Sequence, residues 1–200
     1  MRSKDDAKRT RLLEAAAPLF ARKHQHEVTI DEIAAAAGVA KGTVYIHFKD
    51  KTALYQAVLE HTTGRVLAEI KERAAGHEGA ADKLRAIAGG CLAFVRAHPD
   101  AMLLWLRDQI RCMLDSPHGV PPLSEQDQDA LAVVSGILRS AARRGELRVG
   151  HPDLEAALFY GMIRAAHETP LPGFTVDSLA DHVVDVFLNG LAVRGRGAEK

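Results

Sequence analysis

The sequence predicts an all-α protein, and three observations carry that prediction. Alanine dominates the composition while aromatic residues make up only 5%. Alanine is the strongest helix former, and aromatic side chains favour strands. Apolar residues recur at three- and four-residue spacing, the mark of one face of a helix, and no stretch sustains the alternation of a half-buried strand. The 200 residues suit one large domain or two small ones, enough to bury a core without a disulfide or a metal.

The first helix is expected from about Lys8 to Lys23, with Leu12, Leu13, Ala16, Leu19 and Phe20 on one face. Pro18 inside it removes a backbone donor and should bend it. Thr29 followed three residues later by Glu32 reads as a capping box. That helix runs from Ile30 to Ala37 and stops at Gly38, a residue that takes positive φ without strain. A second short helix, Lys41 to His47, follows Val39-Ala40. Asp50 then caps a long helix from Lys51 to about Ala75. Beyond a loop at Gly76–Gly79, helices are expected at about Ala80–Ala97, Asp100–Leu114, Ser124–Arg144, Pro152–Glu168 and Val176–Val193. Pro99, Pro117, Pro121, Pro122, Pro152, Pro170 and Pro172 mark most of the boundaries. Arg194–Lys200 reads as a frayed tail.

The formal net charge is zero, but the charge is uneven. Residues 1–52 hold ten of the 26 Lys and Arg and seven of the 26 Asp and Glu, leaving 16 against 19 for the remainder. A local basic patch of this kind can hold nucleic acid on a neutral chain. The start is charged rather than apolar, and no apolar run approaches the roughly 20 residues that span a bilayer. The cytoplasm is therefore the expected compartment, with no membrane contact. The two cysteines, Cys91 and Cys112, have no metal-ligand spacing; each lies on an apolar helix, where inert burial is favoured over oxidant sensing. No nucleophile elbow, phosphate-binding loop, dinucleotide fingerprint or metal-binding helix appears. His118, His151, His167 and His182 are scattered and suit surface or capping roles. An enzyme is not expected, and no cofactor is implied.

Two short helices joined at Gly38-Val39 form the heart of a helix-turn-helix. In such a motif the first helix braces and the second enters the major groove of DNA, which is about 12 Å wide and admits one α-helix. The run Thr29-Ile30-Asp31-Glu32-Ile33-Ala34-Ala35-Ala36-Ala37-Gly38-Val39, followed by Thr43-Val44-Tyr45-Ile46-His47-Phe48-Lys49-Asp50-Lys51-Thr52-Ala53-Leu54, resembles the tetracycline-repressor (TetR) family. The resemblance covers roughly residues 8–60 and rests on the pattern Thr-x-Tyr-x-His-Phe-x-Asp-Lys-x-x-Leu.

That resemblance implies roles for the matched positions. Lys41, Gly42 and Thr43 open the recognition helix and face bases or nearby phosphates. Tyr45, His47 and Lys51 meet phosphates, and Thr29 both caps its helix and donates to a phosphate. Helix amino termini favour anions, and Lys, Thr and Tyr supply charge and short directed bonds. Phe48, Leu54, Ile33, Ala34 and Val44 belong to the core. Two positions depart from the family. His24-Gln25 stand where a Gly and an aromatic are usual, so the turn there is expected to differ. Gly42 replaces a side chain that often touches bases.

The resemblance further implies an amino-terminal three-helix DNA-binding domain, residues 1–52, and a helical ligand-sensing and dimerisation domain, residues 53–200. Pockets between helices are lined mainly by apolar side chains. The candidates are Cys91, Phe94, Val95, Met102, Trp105, Leu106 and Gln109, with Met113, Phe159 and Tyr160 as weaker ones; the competing reading for each is plain core. Leu154, Ala157, Leu158 and Gly161 make one helical stripe, and Leu179, Val183, Val186, Phe187 and Gly190 another. Both are expected to face a second copy. The chain thus reads as a regulator of transcription, a homodimer on palindromic double-stranded operator DNA, with a small apolar effector that releases it. A regulator without a small-molecule effector is the alternative, and a helical-bundle enzyme or carrier the alternative of another class.

Overall fold

Helix boundaries fall where the sequence supplies groups for the unpaired N–H and C=O at helix ends. The structure, a computed structural model, describes residues 4–117, 123–169 and 172–191. Among these residues there are nine helices and no strand: α1 (Lys4–Arg22), α2 (Ile30–Ala37), α3 (Lys41–His47), α4 (Lys51–Ala75), α5 (Ala80–Ala97), α6 (Pro99–Asp115), α7 (Glu125–Arg143), α8 (Pro152–Glu168) and α9 (Val176–Leu191). The all-α prediction holds, and most boundaries fall within a residue or two of those expected. The α1 helix starts four residues earlier, with Asp5 and Asp6 in its first turn, where carboxylates suit the helix dipole. It runs on through Pro18 without a break. Val193, the tail Arg194–Lys200, Pro121, Pro122, Pro170 and His118 lie outside the described residues.

The chain forms two compact units. One takes in Met1–Arg65 and His98–Leu123, the other Val66–Ala97 and Ser124–Lys200. The expected functional division at residue 52 is thus distinct from the division by packing, and α6 belongs to the first unit.

In that first unit, Leu12, Leu13, Ala16 and Phe20 of α1 bury against Ile33, Ala34 and Ala37 of α2, Val44 of α3 and Leu54, Tyr55 and Val58 of α4. The Phe20 and Tyr55 rings meet edge to face at 5.1 Å. Leu104 of α6 is fully buried in the same core. Arg22 pairs with Asp100 at the start of α6, and the Tyr55 hydroxyl donates to Asp108 at 3.4 Å. In the second unit, Leu84, Ile87 and Leu92 of α5 pack with Val134 and Leu138 of α7, Phe159 and Ile163 of α8 and Leu179, Val183 and Phe187 of α9. Arg85 on α5 reaches Asp181 and Asp185 on α9 at 3.4 and 2.9 Å.

Leu104 tests the place of α6. Leu104→Ala should cost about 2–5 kcal/mol, the usual effect of emptying a fully buried leucine site. Amide exchange should show the lost protection in α1 and α2 rather than in α8 and α9. Loss confined to the second unit would contradict this packing.

Candidate nucleic-acid interface

The interface is built from the turn into α2, the turn between α2 and α3, and the outer face of α3. Thr29 sits in extended backbone and its hydroxyl accepts from the Glu32 N–H at 3.2 Å. The Glu32 carboxylate in return accepts from the Thr29 N–H at 2.8 Å and from its hydroxyl at 3.0 Å. The capping box is complete, and the hydroxyl proton of Thr29 is engaged within the chain. Lys23 donates to the same carboxylate. That bond, followed by those from Thr29, holds the Glu32 carboxyl down to about 2.

Gly38 ends α2 with φ +65°, the left-handed conformation expected of it. Its N–H turns back to the last carbonyls of α2, and Arg11 donates to the Ala37 carbonyl at 2.7 Å. The earlier turn, at His24-Gln25, does differ from the usual pattern. It uses no positive-φ residue; the His24 carbonyl accepts from the Glu27 N–H at 3.0 Å and the Val28 N–H at 3.3 Å instead. Gln25 then donates to the Thr52 hydroxyl at the start of α4.

Val44 is the one α3 residue in the apolar core. Lys41, Gly42 and Tyr45 face solvent, Tyr45 with 51% exposure, and Thr43 is half-buried. Lys41 donates to Asp31 on α2 at 2.8 Å, a bond that raises the Lys41 pKa. His47 lies elsewhere. One turn beyond Val44 on the same face, its ring is only 6% exposed, with Nε2 3.6 Å from the Asp5 carboxylate and the ring beside Phe48. Arg9 covers the Phe48 ring at 5.3 Å. Lys51 donates from Nζ to the carbonyls of His26 at 3.1 Å and Val28 at 2.9 Å, and so ties the α1–α2 turn to α4. The structure therefore brings Thr29, Lys41, Gly42, Thr43 and Tyr45 to one outer region. It turns His47 inward and gives Lys51 a bracing role.

The sequence reading missed Ile46, which stands 79% exposed on α3. The signal was its spacing: Gly42 and Ile46 share a face at four residues, opposite Val44.

Residues 12–58 match the model of the bacterial regulatory proteins, tetR family. The transcriptional repressor BepR of Brucella suis biovar 1 is 31% identical, over 73% of this chain and 72% of its own length. The chain belongs to the TetR family. It is a DNA-binding regulator of transcription. The repressor KstR2 of Rhodococcus jostii RHA1 is 26% identical over 92% of this chain and 91% of its own. The fold is that of the Bacillus subtilis regulator FadR, solved with stearoyl-CoA: the TM-score is 0.69 at 21% identity, covering 90% of this chain and 98% of that one.

In this TetR-family chain the pocket candidates divide between the two units. Met102, Trp105, Leu106, Gln109 and Met113 lie on α6 in the first unit. The first four are half-buried and Met113 is 41% exposed. Cys91, Phe94 and Val95 on α5 and Phe159 and Tyr160 on α8 lie in the second. Phe159 is fully buried, its ring tilted against that of Phe187 at 5.0 Å. Tyr160 is half-buried and donates to the Ala130 carbonyl at 3.1 Å; burial, then the neighbouring Cys91, raises its pKa. Burial pushes the Cys91 thiol up to about 12, and burial followed by Asp108 raises Cys112. Neither thiol is held as the reactive thiolate.

The two dimer stripes fare differently. Leu154 and Leu158 on α8 are 58% and 55% exposed, Ala157 is exposed beside them, and Gly161 is half-buried. On α9, Leu179, Val183 and Phe187 are buried in the chain's own core, which corrects their expected placement on an outer face. The α9 helix turns its apolar stripe inward because α5 and α8 pack there, and Val186, 50% exposed, is left outside. Gly190 lies in the last turn of α9. Among the described residues, no helix is long and apolar enough to cross a membrane.

Glu32 carries a pH signature. A carboxyl whose folded pKa lies below its usual 4.5 contributes stability above that value and loses it as the pH falls toward 2. Between about pH 5 and about pH 3 the wild type should lose melting temperature more steeply than Glu32→Gln. Equal slopes would remove Glu32 from the cap.

Proposed function

We propose that the chain is a repressor that acts as a cytoplasmic homodimer on a palindromic operator and leaves it when a small, largely apolar ligand binds. The observation that carries the DNA half of this reading is α3: a helix held from within by Val44 and the His47 ring, with Lys41, Gly42 and Tyr45 turned outward. Lys41 and Thr43 open the helix toward base edges and nearby phosphates, and Tyr45 bonds a phosphate, while Thr29, whose two donors are held by Glu32, serves as the cap of α2. Lys51 keeps one donor for a phosphate beyond its two carbonyl bonds. His47 supports this face from within. A duplex selected from a random library should bind with a steep salt dependence. Lys41→Ala combined with Tyr45→Phe should weaken binding at least about tenfold while leaving the fold intact. Equal affinities would sink the assignment.

For the ligand half, α6 matters most. It carries Trp105, Leu106 and Gln109, half-buried, and it shares a core with α1 and α2 through Leu104. A ligand that moves α6 thereby moves elements that hold the recognition helix, through Leu104 and the Arg22–Asp100 pair. Stearoyl-CoA in FadR supports fatty acids and their thioesters as the first compounds to screen, the acyl chain being the largely apolar part a pocket would take. Coupling of about 2–3 kcal/mol would change operator affinity roughly 30- to 150-fold, and operator DNA must weaken the ligand by the same factor. Trp105 is the only tryptophan and reports binding directly. A ligand that alters Trp105 fluorescence but not operator affinity would defeat the coupling. A screen in which nothing binds would favour a regulator without an effector.

Dimerisation rests on the exposed apolar stripe of α8, Leu154, Ala157, Leu158 and Gly161, with Val186 of α9. A two-fold dimer sets two recognition helices about 34 Å apart or more, as a palindromic operator requires. Light scattering at micromolar concentration should give a dimer mass. Leu158→Glu should give a monomer that still folds and binds operator weakly. A monomeric wild type would refute the dimer.

A further inference from the structure

Ile46 is the most exposed large apolar side chain among the described residues, at 79%. It lies on α3, the helix whose other outward positions are polar or bare. One turn earlier is Gly42, where an added Cβ would meet nothing within 4 Å. The fold therefore does not need glycine there; its effect is to leave the backbone uncovered. Beside Ile46 stands Tyr45, half exposed, with a hydroxyl to give. Ile46 has no polar atom and can offer nothing to a phosphate. A single apolar side chain on a face it shares with Gly42, beside Tyr45, is also a poor protein-docking patch, which needs contiguous apolar area. In the major groove, every base edge presents hydrogen-bonding groups, and thymine alone adds an apolar one, its C5-methyl.

We propose that Ile46 is a specificity residue that seats against the C5-methyl of a thymine in each operator half-site, with the bare backbone at Gly42 giving the clearance for that approach. The assignment rests on α3 being the DNA-reading helix and adds the base that it reads. Lys41, Thr43 and Tyr45 fix the helix on the duplex. Ile46 discriminates between thymine and every base without that methyl.

The test uses a duplex selected by the full-length wild type from a random library. Each thymine of the half-site is replaced in turn by deoxyuridine, which removes the methyl and keeps the hydrogen-bonding pattern. At one position wild-type affinity should fall about fourfold, and about 15-fold when both half-sites are changed, the effect of one buried methyl per site. Ile46→Ala should bind the thymine and deoxyuridine duplexes equally and keep the wild-type salt slope. Because Ile46 is in solvent, its melting temperature should not move. Deoxyuridine neutral at every position in the wild type overturns the assignment. So does discrimination that survives in Ile46→Ala. A wild type that selects no duplex overturns the DNA-reading of α3 itself, a result separable from either of these.

Discussion

Val44 is the one α3 side chain in the apolar core, the His47 ring tucks in one turn on, and the amino-terminal unit is arranged around that narrow attachment. Burying a valine and one ring contributes far less than ordering seven residues of backbone costs, at about 1–2 kcal/mol each. A helix with those terms does not form alone. Its geometry is imposed from both ends. Gly38 sets the direction in which the chain leaves α2, with Arg11 closing the last carbonyl of that helix. Phe48 and the inward ring of His47 fix the exit beneath Arg9 and beside Asp5. The thin attachment is also what leaves the opposite face of α3 open.

The two lysines of this region are held in different ways. Lys41 is paired with Asp31 in solvent, where water screens the pair and leaves it little net worth. A phosphate or a base can replace Asp31 at little cost. Lys51 donates to two main-chain carbonyls, one of these bonds partly buried, and would give up both if it swung away. Similar side chains therefore have unequal freedom, and only Lys41 can be redirected toward a new acceptor.

How much was legible follows from where the information sits in the chain. The limits of α2, α3 and α4 could be read because their caps are local: Thr29 with Glu32, Gly38, and Asp50, whose carboxylate accepts from the Ala53 N–H. Ser124 with Asp127 marks the start of α7 in the same way. What faces what is a tertiary property and was less legible. The apolar stripe of α9 reads alike whether it meets a neighbour in the chain or a second copy, and Leu179, Val183 and Phe187 turned out to serve the chain's own core. His47 reads as a polar contact by type, and only its spacing from Val44 hints at an inward ring. Ile46 reads as core by type, and only its spacing from Val44 places it outside. Nothing local to residues 98–115 indicates that Leu104 completes a core begun at Leu12.

That last placement has a consequence for how the protein is made. During synthesis the segments of α1, α2 and α3 leave the ribosome first, and domains generally fold as units in that order. Here the first unit is discontinuous in sequence, since its chain is interrupted by Val66–Ala97. Its core stays open at the Leu104 site until α6 has been translated. The emerging amino-terminal helices must wait, partly packed, while a segment of the other unit is laid down. Completion of the DNA-reading half is thereby tied to production of the half that follows it, and a chain stopped short of α6 lacks a wall of its first core.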